Sequence, residues 1–188
     1  MNVPEEKRYY GKYRATVINN IDPMMLGRLM VMSPDVHGMV PTTWAMPCVP
    51  IAGTQSGIYC VPAVGSAVWI EFEQGDLDYP IWVGGFWGLP SDPPALGLAP
   101  PAAYPGANIC MQTVQQNTIL LSDSPSPPGG ITIKSRSGAM ITLLDTGVTV
   151  SSPTPVTISA PTVNIVAASA INITAPTVTI NGGALVVT

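Results

Sequence analysis

Charge is what this chain has least of. Only 10% of its 188 residues are charged, against about 25% in an ordinary soluble domain. Seven Lys+Arg against eleven Asp+Glu leave a net charge of -4. That balance excludes the basic surface with which a nucleic-acid binder neutralises phosphates. Aromatic residues are 6%, and the single histidine, His37, has no nucleophile paired with it. The three cysteines, Cys48, Cys60 and Cys110, are odd in number and lack C-x-x-C spacing. They read as reduced thiols of a protein made in a cytosol. Mean hydropathy is positive, yet the chain has no apolar run of about 18 residues, so no transmembrane helix is expected. The charged first stretch, MNVPEEKRYYGKYR, lacks the apolar segment of a secretory signal.

What the chain does have is Pro (21), Gly (18) and 46% hydrophobic residues. The first two disfavour long helices. The third, with a low net charge, argues against disorder. These residues are unevenly spread. Residues 1–92 hold fourteen charges and residues 93–188 hold four, with none from Thr146 to Thr188. The last aromatic is Tyr104, and six prolines fall between Pro90 and Pro105. Such a proline-rich stretch makes a semi-stiff linker. The expected division is 1–88, a linker at 89–108, and 109–188.

The first part reads as short strands. In Ala67–Glu73, Val68, Ile70 and Phe72 alternate with Trp69, Glu71 and Glu73, the period of a half-buried strand. Tyr13–Ile18, Arg28–Met32 and Pro80–Phe86 are further candidates. Asp22-Pro23, Ser33-Pro34-Asp35, Ala52-Gly53 and Gly75-Asp76 are turn signals between them. About five short strands in about 80 residues suit a small Greek-key barrel of the OB type.

The second part is an internal repeat. Its apolar–polar–apolar triplets are Ile131-Thr-Ile133, Ile141-Thr-Leu143, Val148-Thr-Val150, Val156-Thr-Ile158, Val163-Asn-Ile165, Ile171-Asn-Ile173 and Val178-Thr-Ile180, closing on Leu185-Val-Val187. After the first step they recur every seven or eight residues. Each is a short β-branched strand followed by a turn-forming spacer. Strands this short have no stable core alone. Three identical chains wound about one axis, each supplying a wall of a triangular β-prism, would bury them. The expected trimer core is Val148, Val150, Val156, Ile158, Val163, Ile165, Ile171, Ile173, Val178 and Ile180, with Thr, Ser and Asn facing water. The fold class expected is therefore all-β, an OB barrel followed by an intertwined trimeric β-helix. A charge-free rod also costs less to push through a bilayer than one carrying ionisable groups. The repeat alone leaves that reading level with a plain trimerisation stalk.

The order of motifs in the first part carries a resemblance. Tyr13-Arg-Ala-Thr-Val17, Asn20-Ile-Asp-Pro23, Gly27-Arg-Leu-Met-Val31 and Ser33-Pro-Asp-Val36 come in succession. Trp44-Ala-Met-Pro-Cys48-Val-Pro50, Pro62-Ala-Val-Gly65, Val68-Trp-Ile-Glu-Phe72, Gly75-Asp76 and Pro80-Ile-Trp-Val-Gly84 follow. Residues 9–88 thereby resemble the OB-fold domain of baseplate assembly protein V, the central spike of contractile phage tails, related to type VI secretion spikes. The resemblance implies a homotrimeric, non-enzymatic needle. It would be made in the bacterial cytoplasm and carried in a virion tail baseplate or a related contractile particle. It would dock on a trimeric tail hub and meet the target cell envelope only transiently. There is no room for the lysozyme domain that some such spikes insert, and no His-x-His pair for the iron that some hold at their apex. The expected apex, Leu185, Val186 and Val187, would instead carry a separate tip protein of the PAAR-repeat type, the alternative being a blunt end that stays uncapped. No cofactor and no nucleic acid are expected.

Other readings are weaker. Glu71, Glu73, Asp76 and Asp78 have the makings of an acid–base pair or a cation site, but read better as solvated strand and turn positions. Cys48 and Cys60 read as buried thiols rather than a disulfide. Trp44, Trp69, Trp82 and Trp87 read as core or trimer packing rather than a ligand platform. Lys7, Arg8, Lys12 and Arg14 form a basic cluster suited to an acidic hub surface. The rival function is an OB-fold module binding a glycan or nucleic acid on a trimeric stalk.

Overall fold

The computed structural model describes residues 7–98, 108–124 and 129–176. Nearly all regular structure among them is strand. Five strands make the first unit: β1 (Tyr13–Asn19), β2 (Met30–Met32), β3 (Met46–Pro47), β6 (Ala67–Phe72) and β7 (Pro80–Gly85). A small hairpin, β4 (Ala52–Gly53) with β5 (Ser56–Gly57), lies between β3 and β6. The sheet order is β2-β1-β6-β7-β3, antiparallel except for the β3–β7 pair. Its two edges then meet. Leu29 and Ala45, flanking β2 and β3, exchange both backbone hydrogen bonds, at 3.1 and 2.7 Å. The sheet thus curls closed with its five strands ordered first, second, third, fifth, fourth, the Greek-key ring of an OB barrel. Bulges in β1, at Ile18, and in β7, at Val83, add the local twist that such tight closure needs.

Alternation decides what lies inside. Along β6, Val68, Ile70 and Phe72 are buried and the residues between them are not. They meet Ala15, Val17, Leu29, Val31, Ala45 and Trp82 in one core. Trp82 is tolerated there because its Nε1–H donates to the Gly27 carbonyl at 3.0 Å. The turn expected at Ser33-Pro34-Asp35 is a one-turn helix, α1 (Pro34–His37). Proline suits a first helical position, where its missing N–H is no loss. The His37 ring packs on Phe72 at 5.8 Å, and burial pushes its pKa down.

The second unit is a five-stranded antiparallel meander: β8 (Asn108–Gln112), β9 (Thr118–Ser122), β10 (Gly130–Lys134), β11 (Met140–Leu144) and β12 (Gly147–Ser151). The first three triplets of the repeat lie in β10, β11 and β12. Here they pair with neighbours of the same chain. Register sorts their side chains into rows. Ile109, Leu121, Ile131, Leu143 and Val148 form one apolar row, and Met111, Ile119, Ile133, Ile141 and Val150 the next. The row between them, on the other face, is Cys110, Leu120, Thr132, Thr142 and Thr149.

One expectation about these faces is corrected. Threonine was expected to face water, yet Thr118 and Thr132 are buried with Leu120. The segment leading into the sheet, a 3-10 turn at Ala95–Leu98, lies on that side. Its Gly97 abuts the Cys110 side chain, and the Gly97 carbonyl accepts from Asn108 Nδ2 at 3.2 Å. Beyond Ser151, residues 152–176 form no strand within the chain. Val156, Ile158, Val163, Ile165, Ile171 and Ile173 are all exposed. Val178, Ile180, Leu185, Val186 and Val187 lie outside the described residues.

Candidate functional site

The most conspicuous surface has no reactive group on it. All ten side chains of the two apolar rows are exposed in the single chain. Fully burying one aliphatic side chain contributes about 1.5–3 kcal/mol, and a continuous exposed patch of this kind marks an interaction surface. Val148 and Val150 belong to these rows, whereas Val156 to Ile173 continue the apolar pattern along chain that has no ladder of its own.

The basic cluster divides into two places. Residues 7–12 lie at the barrel end formed by the start of β1 and the end of β6, where the Tyr9 N–H donates to the Gly75 carbonyl at 2.9 Å. There Arg8 pairs with Asp76 at 3.4 Å and Lys12 pairs with Glu71. Lys7 lies over the Tyr9 ring. Arg14 is elsewhere, on the barrel wall, 5.6 Å from both the Trp69 and Phe86 rings. The chain leaves β7 for the meander at the opposite end of the barrel, since Gly85 pairs with Val68 near the start of β6.

The acids expected to be solvated are therefore partly engaged. Glu71 and Asp76 hold cations, and Asp76 Oδ1 also accepts from the Asp78 N–H at 3.1 Å. Glu73 is not on the strand but opens a 3-10 turn, Glu73–Gly75. Among the described residues no group of three or more His, Cys, Asp or Glu is arranged to hold a metal. No helix among them is long and apolar enough to cross a membrane. The thiols are unpaired, but Cys48 and Cys60 are exposed rather than buried; Cys48 directly follows β3, its N–H donating to the Trp82 carbonyl at 2.9 Å, and Cys60 lies in the irregular stretch after β5. Only Cys110 is half-buried, which raises its pKa. The tryptophans also part ways. Trp82 is core, Trp69 stacks on Phe86 at 4.7 Å, Trp44 carries Arg28 on its face at 5.5 Å, and Trp87 is exposed.

Sequence reasoning missed one constellation. Asp22 is buried and accepts from the backbone N–H groups of Met24 (3.0 Å), Leu26 (2.9 Å) and Arg28 (3.2 Å). The Arg28 guanidinium closes the ring with bonds of 2.6 to 3.1 Å to both carboxylate oxygens. This fork holds the Asp22 carboxyl well below its ordinary 3.8, assisted by the three N–H donors and opposed by burial. An Asp-Pro followed within a turn by Gly-Arg was the available signal, since a buried aspartate before a proline caps its own loop. A carboxylate whose pKa is depressed on folding adds stability that is fully present above its unfolded value and is lost as pH falls. Asp22→Asn is therefore expected to lower the melting temperature most at pH 7. The gap should narrow as pH drops below about 4. A gap independent of pH, read by circular dichroism, would refute the role assigned to the charge.

Two family models match these two units. Residues 13–87 match the type VI secretion system/phage-baseplate injector OB domain. Residues 108–186 match the phage baseplate V C-terminal trimerisation domain. The chain belongs to the phage baseplate V family. No curated protein matches it. The family accounts for what the isolated chain leaves unexplained. The protein is a structural baseplate component and a homotrimer, and its trimerisation domain begins where the apolar rows begin.

Proposed function

We propose that three copies of this chain form the membrane-puncturing central spike of a contractile injection machine. The observation that carries the reading is the pair of exposed apolar rows running into a charge-free, unpaired segment. Three meanders turned inward would bury those rows on a common axis. The extended segments beyond Ser151 would then find in neighbouring chains the strands they lack in their own. The division is an OB barrel at 1–88, a linker at 89–108 and the spike at 109–188. Val148, Val150, Val156, Ile158, Val163, Ile165, Ile171, Ile173, Val178 and Ile180 line its axis.

The barrel docks on the trimeric tail hub through the end that carries Lys7, Arg8 and Lys12. What supports this is placement: that end faces away from the meander. Arg14 joins only if the hub also reaches the barrel wall. The far apex, at Leu185, Val186 and Val187, seats a PAAR-like tip protein. Sheath contraction drives the assembly through the target envelope. The protein contributes stiffness and shape, not catalysis. It is made in the bacterial cytoplasm and works as part of a tail or a related contractile particle.

Light scattering on the purified chain, with electrophoresis in SDS without boiling, tests the trimer. A mass near three times 19.6 kDa that survives SDS is expected. A monomer would sink the spike reading and return the barrel to the status of a binding module.

A further inference from the structure

The barrel carries an apolar knuckle of its own. The loop joining β1 to β2 exposes Ile21, Met24, Met25 and Leu26, with Met25 at 81% exposure. Beside it stands Tyr59, also exposed, whose ring lies so close to Gly27 that a Cβ there would meet it at 3.3 Å. Exposed loops are usually polar. This one presents apolar side chains on a fixed backbone. Asp22 and Arg28 bind it from within, as described above. The Asn19 carboxamide oxygen accepts from the Ile21 N–H at 2.9 Å, and Asn20 Nδ2 donates to the Pro62 carbonyl at 2.9 Å. Little conformational entropy is left to lose when such a loop binds a partner.

Two observations identify the occupant. The first is position. β1 runs from Tyr13, opposite Ile70, to Thr16, opposite Ala67, and then on to Asn19. The knuckle therefore projects from the barrel end at which the chain leaves for the trimerisation domain. A trimer closed by that domain brings three such ends around one axis. The second is charge. Asp22 is the only ionic residue between Asn19 and Gly27, and it is buried and paired with Arg28. The surface offered is neutral and apolar, which suits a like surface rather than a charged one.

We infer that each knuckle seats against the neighbouring barrel of the same trimer, so that the barrels form a closed ring of identical contacts. Tethering through the spike supplies a high effective concentration, so a small patch suffices. The inference rests on the trimeric reading.

The test uses the full chain with Cys48→Ser and Cys60→Ser, and with Met25→Cys or, as a control at the opposite barrel end, Glu73→Cys. Both positions are exposed, so neither change disturbs the core. Each new thiol is fitted with a photoactivatable cross-linker and irradiated, and the product is boiled in SDS. A band at twice the chain mass is expected from position 25 and not above background from position 73. In the folded trimer, the thiol at position 25 should also react with a maleimide at least tenfold more slowly than the one at 73. A trimeric mass with no such band, or with equal reactivity at both positions, overturns the inference alone and leaves the knuckle open to a different partner. A monomeric mass in the same sample overturns the trimeric reading and the inference together.

Discussion

A single carboxylate at position 133 is expected to turn the trimer into separate chains. Ile133 is at the centre of the second apolar row, between Ile119 and Ile141. In Ile133→Asp, three carboxylates would meet at one level of a dry axis with no cation near them. Each uncompensated buried ion costs several kcal/mol, and the three also repel one another. The sum exceeds what the neighbouring aliphatic contacts can return at about 1.5–3 kcal/mol per side chain. Light scattering should report a mass near 19.6 kDa. Thr142→Asp is the control, at the same strand level but in the row on the other face. It should leave the trimer intact. If the two variants behave alike, the apolar rows are not the axis.

The second large effect is expected at Leu29. This side chain is fully buried, and its backbone makes the closing bonds to Ala45. Leu29→Ala removes side-chain volume where β2 and β3 meet. Neither can collapse inward without opening the ring. A cavity of this kind costs about 2–5 kcal/mol. For a barrel of this size that is a fall in melting temperature of roughly 10–25 °C, measured at fixed chain concentration. Because Leu29 belongs to the barrel core and to neither apolar row of the meander, the oligomeric mass should not change. A loss below about 1 kcal/mol would mean that the barrel closes by other contacts.

Much of this architecture was legible because the responsible signals are local. The alternation of Val68, Ile70 and Phe72 names a buried face without any knowledge of its partners, and β6 follows it. The first three triplets of the repeat likewise name strands, β10, β11 and β12. What they do not name is the partner strand. Pairing within the chain and pairing between chains bury the same side chains, so the meander of β8 to β12 could not be told from interleaving. In β8 and β9 the signal was also blurred. Ile119, Leu120 and Leu121 are all apolar, so the sequence gives no face to either side of Leu120. Yet only Leu120 is fully buried in the chain.

The basic cluster shows the opposite limit. Lys12 and Arg8 find acids 59 and 68 residues away, a coincidence that only the closed barrel creates. The Asp22–Arg28 fork is local and was nonetheless missed. Its residues read as punctuation between strands, whereas they are the reason the loop between those strands has one shape.

The pairing pattern also sets an order in time. Every ladder of the meander joins consecutive strands, so each can zip on a single chain soon after it is made. The barrel, too, closes with residues of its own chain alone. Residues 152–176 form no such ladder within the chain. In the spike proposed above they would gain strand partners when two other chains arrive, which makes that step an encounter of three molecules and slow in dilute solution. Until then the nascent product carries bare Val and Ile ladders, the kind of edge that seeds aggregates. Assembly should therefore start at the folded barrels and walls and zip toward the chain end, and synthesis of several copies from one message would shorten the wait.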